Sequence, residues 1–154
     1  MKKTNAIRIL DQLGIGYQTV AYTYDPDNLD VAHLAQENGL SLPQIFKTLV
    51  CKGDKTGPVV AVIAGDRQLD LKQLAKVSGN RKMAMVAVKE LQPLTGYVRG
   101  GCSPIGMKKA YPVYLDAHAN QHDLIYINAG QRGLLVGLHP DDLVRACGAV
   151  VVAV

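Results

Sequence analysis

Phe46-Lys-Thr-Leu-Val-Cys51, Gly53-Asp-Lys-Thr-Gly57 and Pro58-Val-Val-Ala-Val-Ile-Ala64 read as strand, turn and strand, and this pair decides the fold. The first segment mixes β-branched and aromatic residues, the second is a glycine-bounded turn, and the third is almost wholly apolar, as a buried strand is. The pair is therefore expected at the centre of a sheet.

Outward from it, the chain alternates irregularly between strands and helices. Thr4 is placed to cap a helix whose Ala6, Leu10 and Leu13 share one face and which Gly14 ends. Tyr17 to Tyr24 reads as a strand stopped by the turn Asp25-Pro-Asp-Asn28, and Asp30 then caps a helix with Val31, Leu34 and Ala35 inward and Asn38-Gly39 at its end. Beyond the central pair, Asp70 caps a helix through Val77 that Gly79 ends. Lys82 to Val86 reads as a short strand, and Val88 to Leu91 as a short helix stopped near Pro93. Val113 to Asp116, Leu124 to Asn128 and Leu134 to Leu138 read as strands, Pro140 opens a helix through Ala146, and Ala149 to Val154 forms a last strand. Several connections are too short for parallel crossovers, so the expectation is an α+β fold: a mixed, largely antiparallel sheet flanked by helices. No Gly-x-Gly-x-x-Gly turn follows a first strand and no phosphate-binding Gly-x-x-x-x-Gly-Lys-Ser/Thr run occurs, which sets doubly wound nucleotide folds aside.

With 154 residues and 48% apolar content, residues 1–154 are expected to form one domain with a core of its own. No stretch approaches the roughly 20 apolar residues that cross a bilayer, and Met-Lys-Lys-Thr-Asn runs into an amphipathic helix rather than a signal core, so a soluble cytoplasmic protein is expected. Cys51, Cys102 and Cys147 are odd in number and widely spaced, which fits reduced thiols rather than a zinc site or a disulfide framework. A net charge of +4 favours an anionic partner, though scattered cations such as Arg81-Lys82 and Lys108-Lys109 equally describe solvated faces.

Chemistry concentrates in Thr95-Gly-Tyr-Val-Arg-Gly-Gly-Cys-Ser-Pro-Ile-Gly-Met-Lys-Lys109. Gly100 and Gly101 free the backbone to turn N–H groups toward a carbonyl or phosphate, and Pro104 stiffens the next turn. Lys47 lies inside an apolar strand, either as a strand-end lysine reaching solvent along its stem or as an ammonium facing a cleft, where it would attract phosphate or polarise an ester carbonyl. Cys102 sits beside those N–H groups, but His33, His118, His122 and His139 show no spacing that ties a base to it, so a small packed thiol is the plainer reading. The histidines are expected at surface or loop positions, and Asp141-Asp142 at a helix N-terminus. Asn128-Ala-Gly-Gln-Arg-Gly133 is a second glycine turn, an ordinary hairpin or the opposite wall of a cleft; its Arg132 would be solvated in the first case and meet phosphate in the second.

Taken in order, Phe46-Lys-Thr-Leu49, Gln68-Leu-Asp-Leu-Lys72, Thr95-Gly-Tyr97, Gly100-Gly-Cys-Ser-Pro-Ile-Gly106 with Lys108-Lys109, and Ile125-Tyr126 leading into Gln131-Arg-Gly-Leu134 resemble the YbaK-type Cys-tRNA(Pro) deacylases, freestanding relatives of the editing domain inserted in bacterial prolyl-tRNA synthetases. The resemblance spans nearly the whole chain. It implies a barrel-like mixed sheet surrounded by helices, and trans-editing of cysteine mischarged onto tRNA(Pro), with Cys-tRNA(Cys) a further substrate. It implies Lys47 as the functional lysine, and Tyr22, Thr48, the loop Gly100, Gly101, Cys102, Ser103 and Pro104, and the turn Asn128, Ala129 and Gly130 as substrate-binding residues. The implied mechanism is substrate-assisted, the cysteine thiol attacking its own ester, with no metal or organic cofactor. The implied partners are the acceptor end of tRNA(Pro) and prolyl-tRNA synthetase. The chain departs from the family pattern in two places: the turn Asn128-Ala-Gly-Gln-Arg-Gly133 stands where Ser-Gly-Gly-Lys-Arg-Gly is common, and Leu135 where some members carry aspartate. The competing expectations are an Ala-tRNA(Pro) deacylase, and a non-catalytic adaptor for tRNA or the synthetase.

Overall fold

The strand pair forms as its sequence dictates. In the computed structural model, which describes residues 3–154, β2 (Phe46–Gly53) and β3 (Gly57–Ala64) run antiparallel along their whole length, Lys47 opposite Ile63 and Cys51 opposite Val59. Met1 and Lys2, the start of the Met-Lys-Lys-Thr-Asn run, lie outside the described residues. The apolar run of β3 is explained by cover on both faces. Val60, Val62 and Ala64 enter the main core, whereas Val59 and Ala61 pack with Cys51 and Leu74 under a helix.

That helix is α3 (Leu71–Ser78), capped by the Asp70 carboxylate accepting from Gln73 N–H and closed by Gly79. It follows α1 (Asn5–Gln12), capped by Thr4 as expected, and α2 (Val31–Asn38), which Asp30 precedes and Gly39 ends. Between those two helices, β1 (Gln18–Ala21) is half the length expected of Tyr17 to Tyr24. Its pairing ends at Ala21 opposite Leu134, and the chain then folds over the core through the bridged turn Asp25 to Asn28.

On the other side, β4 (Met83–Met85) leads into α4 (Val88–Thr95). The expectation that α4 stops before Pro93 is corrected: the helix runs through it. Proline removes one intrahelical bond, but Thr95 Oγ1 donates to Leu91 O (2.8 Å) and the Tyr111 hydroxyl to Leu94 O (2.7 Å), holding the last turn that Gly96 then ends. The remaining elements are β5 (Val113–Asp116), β6 (Ile125–Asn128), β7 (Leu134–Leu138), α5 (Pro140–Cys147) and β8 (Val150–Val152).

The strands make two sheets, ordered β1-β7-β6 and β4-β2-β3-β5-β8. Four pairings are antiparallel and two, β3 with β5 and β5 with β8, are parallel, so the mixed α+β character stands. The barrel does not close. A single parallel bridge between Ile45 and Tyr126 joins the sheets, because the free edge of β2 is shared: β6 meets its beginning and β4 its end. Between the sheets sits the larger core, with Ile7, Leu10, Phe46, Ile105, Leu115, Ile127 and Leu138 all but inaccessible.

Candidate functional site

Where β6 gives way along the edge of β2, the joint opens into a cleft of about 230 Å³. Its floor is the start of β2, Phe46 to Leu49. Its walls are Tyr22 after β1, Gly100 and Cys102 from the long loop, Asn128 at the end of β6 and Leu135 on β7. Its roof is the Tyr24 to Leu29 turn with the first turn of α2, including His33 and Leu34. Of the residues expected here, Tyr22, Lys47, Thr48, Gly100, Cys102 and Asn128 come together. Gly101, Ser103, Pro104, Ala129 and Gly130 do not line it. They build it from behind: the Ser103 hydroxyl accepts from Ile105 N–H, Pro104 faces a separate depression beside Ile9 and Met107, Ala129 is fully buried, and Gly130 lies against the Tyr97 ring.

The loop's shape follows from its glycines and anchors. Gly100 has φ +81°, and a side chain there would meet Leu29 of the roof at 3.1 Å. At Gly101 a Cβ would press the Gln131-Arg132 backbone at 3.1–3.2 Å, so the two glycine turns touch backbone to backbone. Asn128 ties this contact together. Its Nδ2 donates to Gly100 O at 2.8 Å and to the Tyr22 hydroxyl at 3.3 Å, while its Oδ1 accepts from the N–H groups of Gly130 (2.7 Å) and Gln131 (3.1 Å). Arg132 adds an exposed bond from Nε to Arg99 O at 2.8 Å.

Lys47 is half-buried, and among the described residues no ion pair engages it. Thr48 Oγ1 is a buried polar atom without a hydrogen-bond partner in a residue lining the cleft. Cys102 is buried, and desolvation pushes its thiol up to about 11 despite a bond with Thr95. Near neutrality that burial favours the protonated thiol over the nucleophilic thiolate. Burial likewise raises Tyr22, keeping its phenol a neutral hydrogen-bonding group.

The histidines need one correction: His33 is half-buried on α2 and lines the cleft, rather than standing on a loop or open surface. His118 pairs with buried Asp116 at 2.5 Å, His122 meets Phe46 edge-on, and the His139 ring caps α5. Among the described residues no group of three His, Cys, Asp or Glu side chains could hold a metal, and no helix is long and apolar enough to cross a membrane.

A half-buried lysine, a carbonyl fixed by an amide, two hydroxyls and a buried thiol thus line one cleft of an α+β protein, and among the described residues no hydrogen bond joins that thiol to a histidine. The model of the aminoacyl-tRNA editing domain matches residues 25–146. EbsC of Enterococcus faecalis, named as a candidate Cys-tRNA(Pro)/Cys-tRNA(Cys) deacylase, is 49% identical over 140 residues, 91% of this chain and 85% of its own. The multifunctional Ser/Thr-tRNA deacylase ProXp-y of Escherichia coli K12 is 30% identical over 143 residues, 90% of this chain and 84% of its own. A solved structure described as a candidate trans-editing enzyme for prolyl tRNA synthetase superposes with a TM-score of 0.83 at 26% identity, covering 99% of this chain and 98% of that one. The chain belongs to the aminoacyl-tRNA editing domain family.

Sequence reasoning missed the roof. Tyr24, Asn28, Leu29, His33 and Leu34 line the cleft from a segment whose sequence announces only a turn and a helix cap. The strongest available signal was the extra apolar residue Leu29 between them, which covers Gly100.

Proposed function

We propose that this protein is a trans-editing deacylase that removes cysteine mischarged onto tRNA(Pro), with Cys-tRNA(Cys) as a second substrate. The observation that carries the reading is the convergence of Lys47, Gly100 and Asn128 on a cleft of about 230 Å³ whose own thiol is held protonated. A cleft of that size suits a small aminoacyl group and part of its ribose, and among the described residues its hydroxyls and thiol have no base bonded to them that would activate an attack. The nucleophile then belongs to the substrate. The cysteine thiol attacks its own ester carbonyl: a C–S bond forms, the C–O bond to the terminal ribose breaks, and the thiol proton passes to the released ribose oxygen; water then opens the C–S bond of the cyclic thiolactone to give cysteine. Lys47 faces the charge that develops on the carbonyl oxygen, while Tyr22, Thr48 and the loop orient the ester.

The 49% identity to EbsC supports the choice of cysteine. Leu135 in the wall supports it further, since an apolar contact tolerates a thiol better than a hydroxyl left without a partner. The protein works in the cytoplasm, where aminoacyl-tRNA is made, and prolyl-tRNA synthetase is the partner that presents tRNA(Pro) to it.

The test is single-turnover release of amino acid from Cys-tRNA(Pro), Ser-tRNA(Pro) and Ala-tRNA(Pro), with the wild type and with Lys47→Ala. Cysteine should be released, alanine retained because it has no attacking group, and the variant should lose most of the rate. Alanine released as fast as cysteine would end the thiol-assisted mechanism.

A further inference from the structure

Away from the cleft, a groove between α3 and the edge strand β4 gathers charge that the chemistry does not use. Lys52 near the end of β2, Lys72 in α3, and Arg81 and Lys82 at the entry to β4 line one depression of about 730 Å³, with Leu71 and Met83 in its apolar walls. All four cations are exposed, and among the described residues none is in an ion pair. The one acid of the groove, Asp54, is committed elsewhere. It accepts the backbone N–H groups of Arg81 (2.9 Å) and Lys82 (3.0 Å), which fixes the turn that presents those two side chains. Four cations to one carboxylate leave +3 in this depression, against +4 for the whole chain.

Lysines along an edge strand keep sheets from pairing, but these cations come from separate segments of sequence and meet only in the fold. Two physical requirements meet in the same place. A cleft of about 230 Å³ encloses an aminoacyl end and little more, so affinity for a nucleic acid must arise on another surface; phosphate contacts supply it without reading sequence. β2 links the two places, because Lys47 lines the cleft and Lys52 the groove, roughly 17 Å apart along one strand. The apolar walls support the lysine stems while the ammonium groups stay in water.

We infer that this groove holds the phosphate backbone of the tRNA acceptor stem while the aminoacyl ester occupies the cleft, an assignment that rests on the tRNA reading of the cleft. It makes the groove a source of affinity that is indifferent to the amino acid and to the base sequence.

The experiment compares wild type with Lys72→Gln/Arg81→Gln, two exposed changes whose thermal unfolding should match wild type; Lys52→Gln/Lys82→Gln is the second variant should the first misfold. Binding of uncharged tRNA(Pro) is measured across a salt series. Cysteine release is measured on Cys-tRNA(Pro) and on a short cysteinylated CCA oligonucleotide without a stem. The double variant should weaken tRNA binding about tenfold at low salt and flatten the salt slope by about 2. It should raise KM for Cys-tRNA(Pro) without lowering kcat, and leave the short substrate untouched. Unchanged tRNA affinity and salt slope would overturn the groove and hand it to a protein partner, even with cysteine release intact. Lost tRNA affinity with no cysteine release from either substrate, even by the wild type, would leave the groove standing and remove the deacylase reading.

Discussion

At the scale of single residues, the cleft depends on groups that never need to touch the ester. Asn128 uses both ends of its amide, donating to Gly100 O and Tyr22 and accepting from two N–H groups of its own turn. Asn128→Ala leaves Gly100 O with only the longer bond from the Tyr22 hydroxyl (3.4 Å) and two loop N–H groups to water, which should cost about 1–3 kcal/mol of stability. It should also raise KM more than it lowers kcat; Asn128→Ser restores only part. Equal kinetics for wild type and alanine variant would show that the loop holds itself. Cys102→Ala makes the opposite case. Because burial holds that thiol near 11, the substitution should leave single-turnover cysteine release within about twofold of wild type. A loss of a hundredfold or more would return Cys102 to the mechanism.

At the scale of elements, pattern and capping were legible and the joints were not. The apolar run of β3, the caps Thr4 and Asp70 and the stops at Gly39 and Gly79 all follow from local chemistry, which is why those elements fall where their residues put them. The continuation of α4 through Pro93 depends on Tyr111, eighteen positions away, and the truncation of β1 depends on where β7 begins. Neither partner is visible locally. The cleft shows the same division: Lys47 and Gly100 stand out because a lysine in an apolar strand and a paired glycine are locally odd, whereas Leu29 and His33 become site residues only when α2 folds over the joint. Thr4 crosses this boundary, accepting from Ile7 N–H at the start of α1 and donating to Ala129 O behind the cleft. Thr4→Ala should therefore cost about 1–2 kcal/mol in urea denaturation, and Thr4→Ser should recover most of it. A cost below a few tenths of a kcal/mol would mean that α1 is fixed by its apolar face alone.

At the scale of the whole molecule, the three cysteines tie stability to alkaline pH. Cys51, Cys102 and Cys147 are free, and desolvation lifts each from 9.0 to about 11. In the unfolded chain they ionise near their ordinary value, so above about pH 9 the unfolded state holds fewer protons than the folded one. Stability must then fall as pH rises. The contribution is complete below pH 9 and is lost as pH climbs through 11. Tyr97, pushed up to about 12 by burial, extends the decline at the upper end. Under reducing conditions, the urea midpoint should be level from pH 7 to 8.5 and drop steadily between 9 and 11. Replacing Cys102 by Ala should make that drop shallower, because one ionising group is gone. If the midpoint stayed level to pH 11, the buried thiols could not be protonated as their burial requires, and the exclusion of Cys102 as a nucleophile would lose its physical basis.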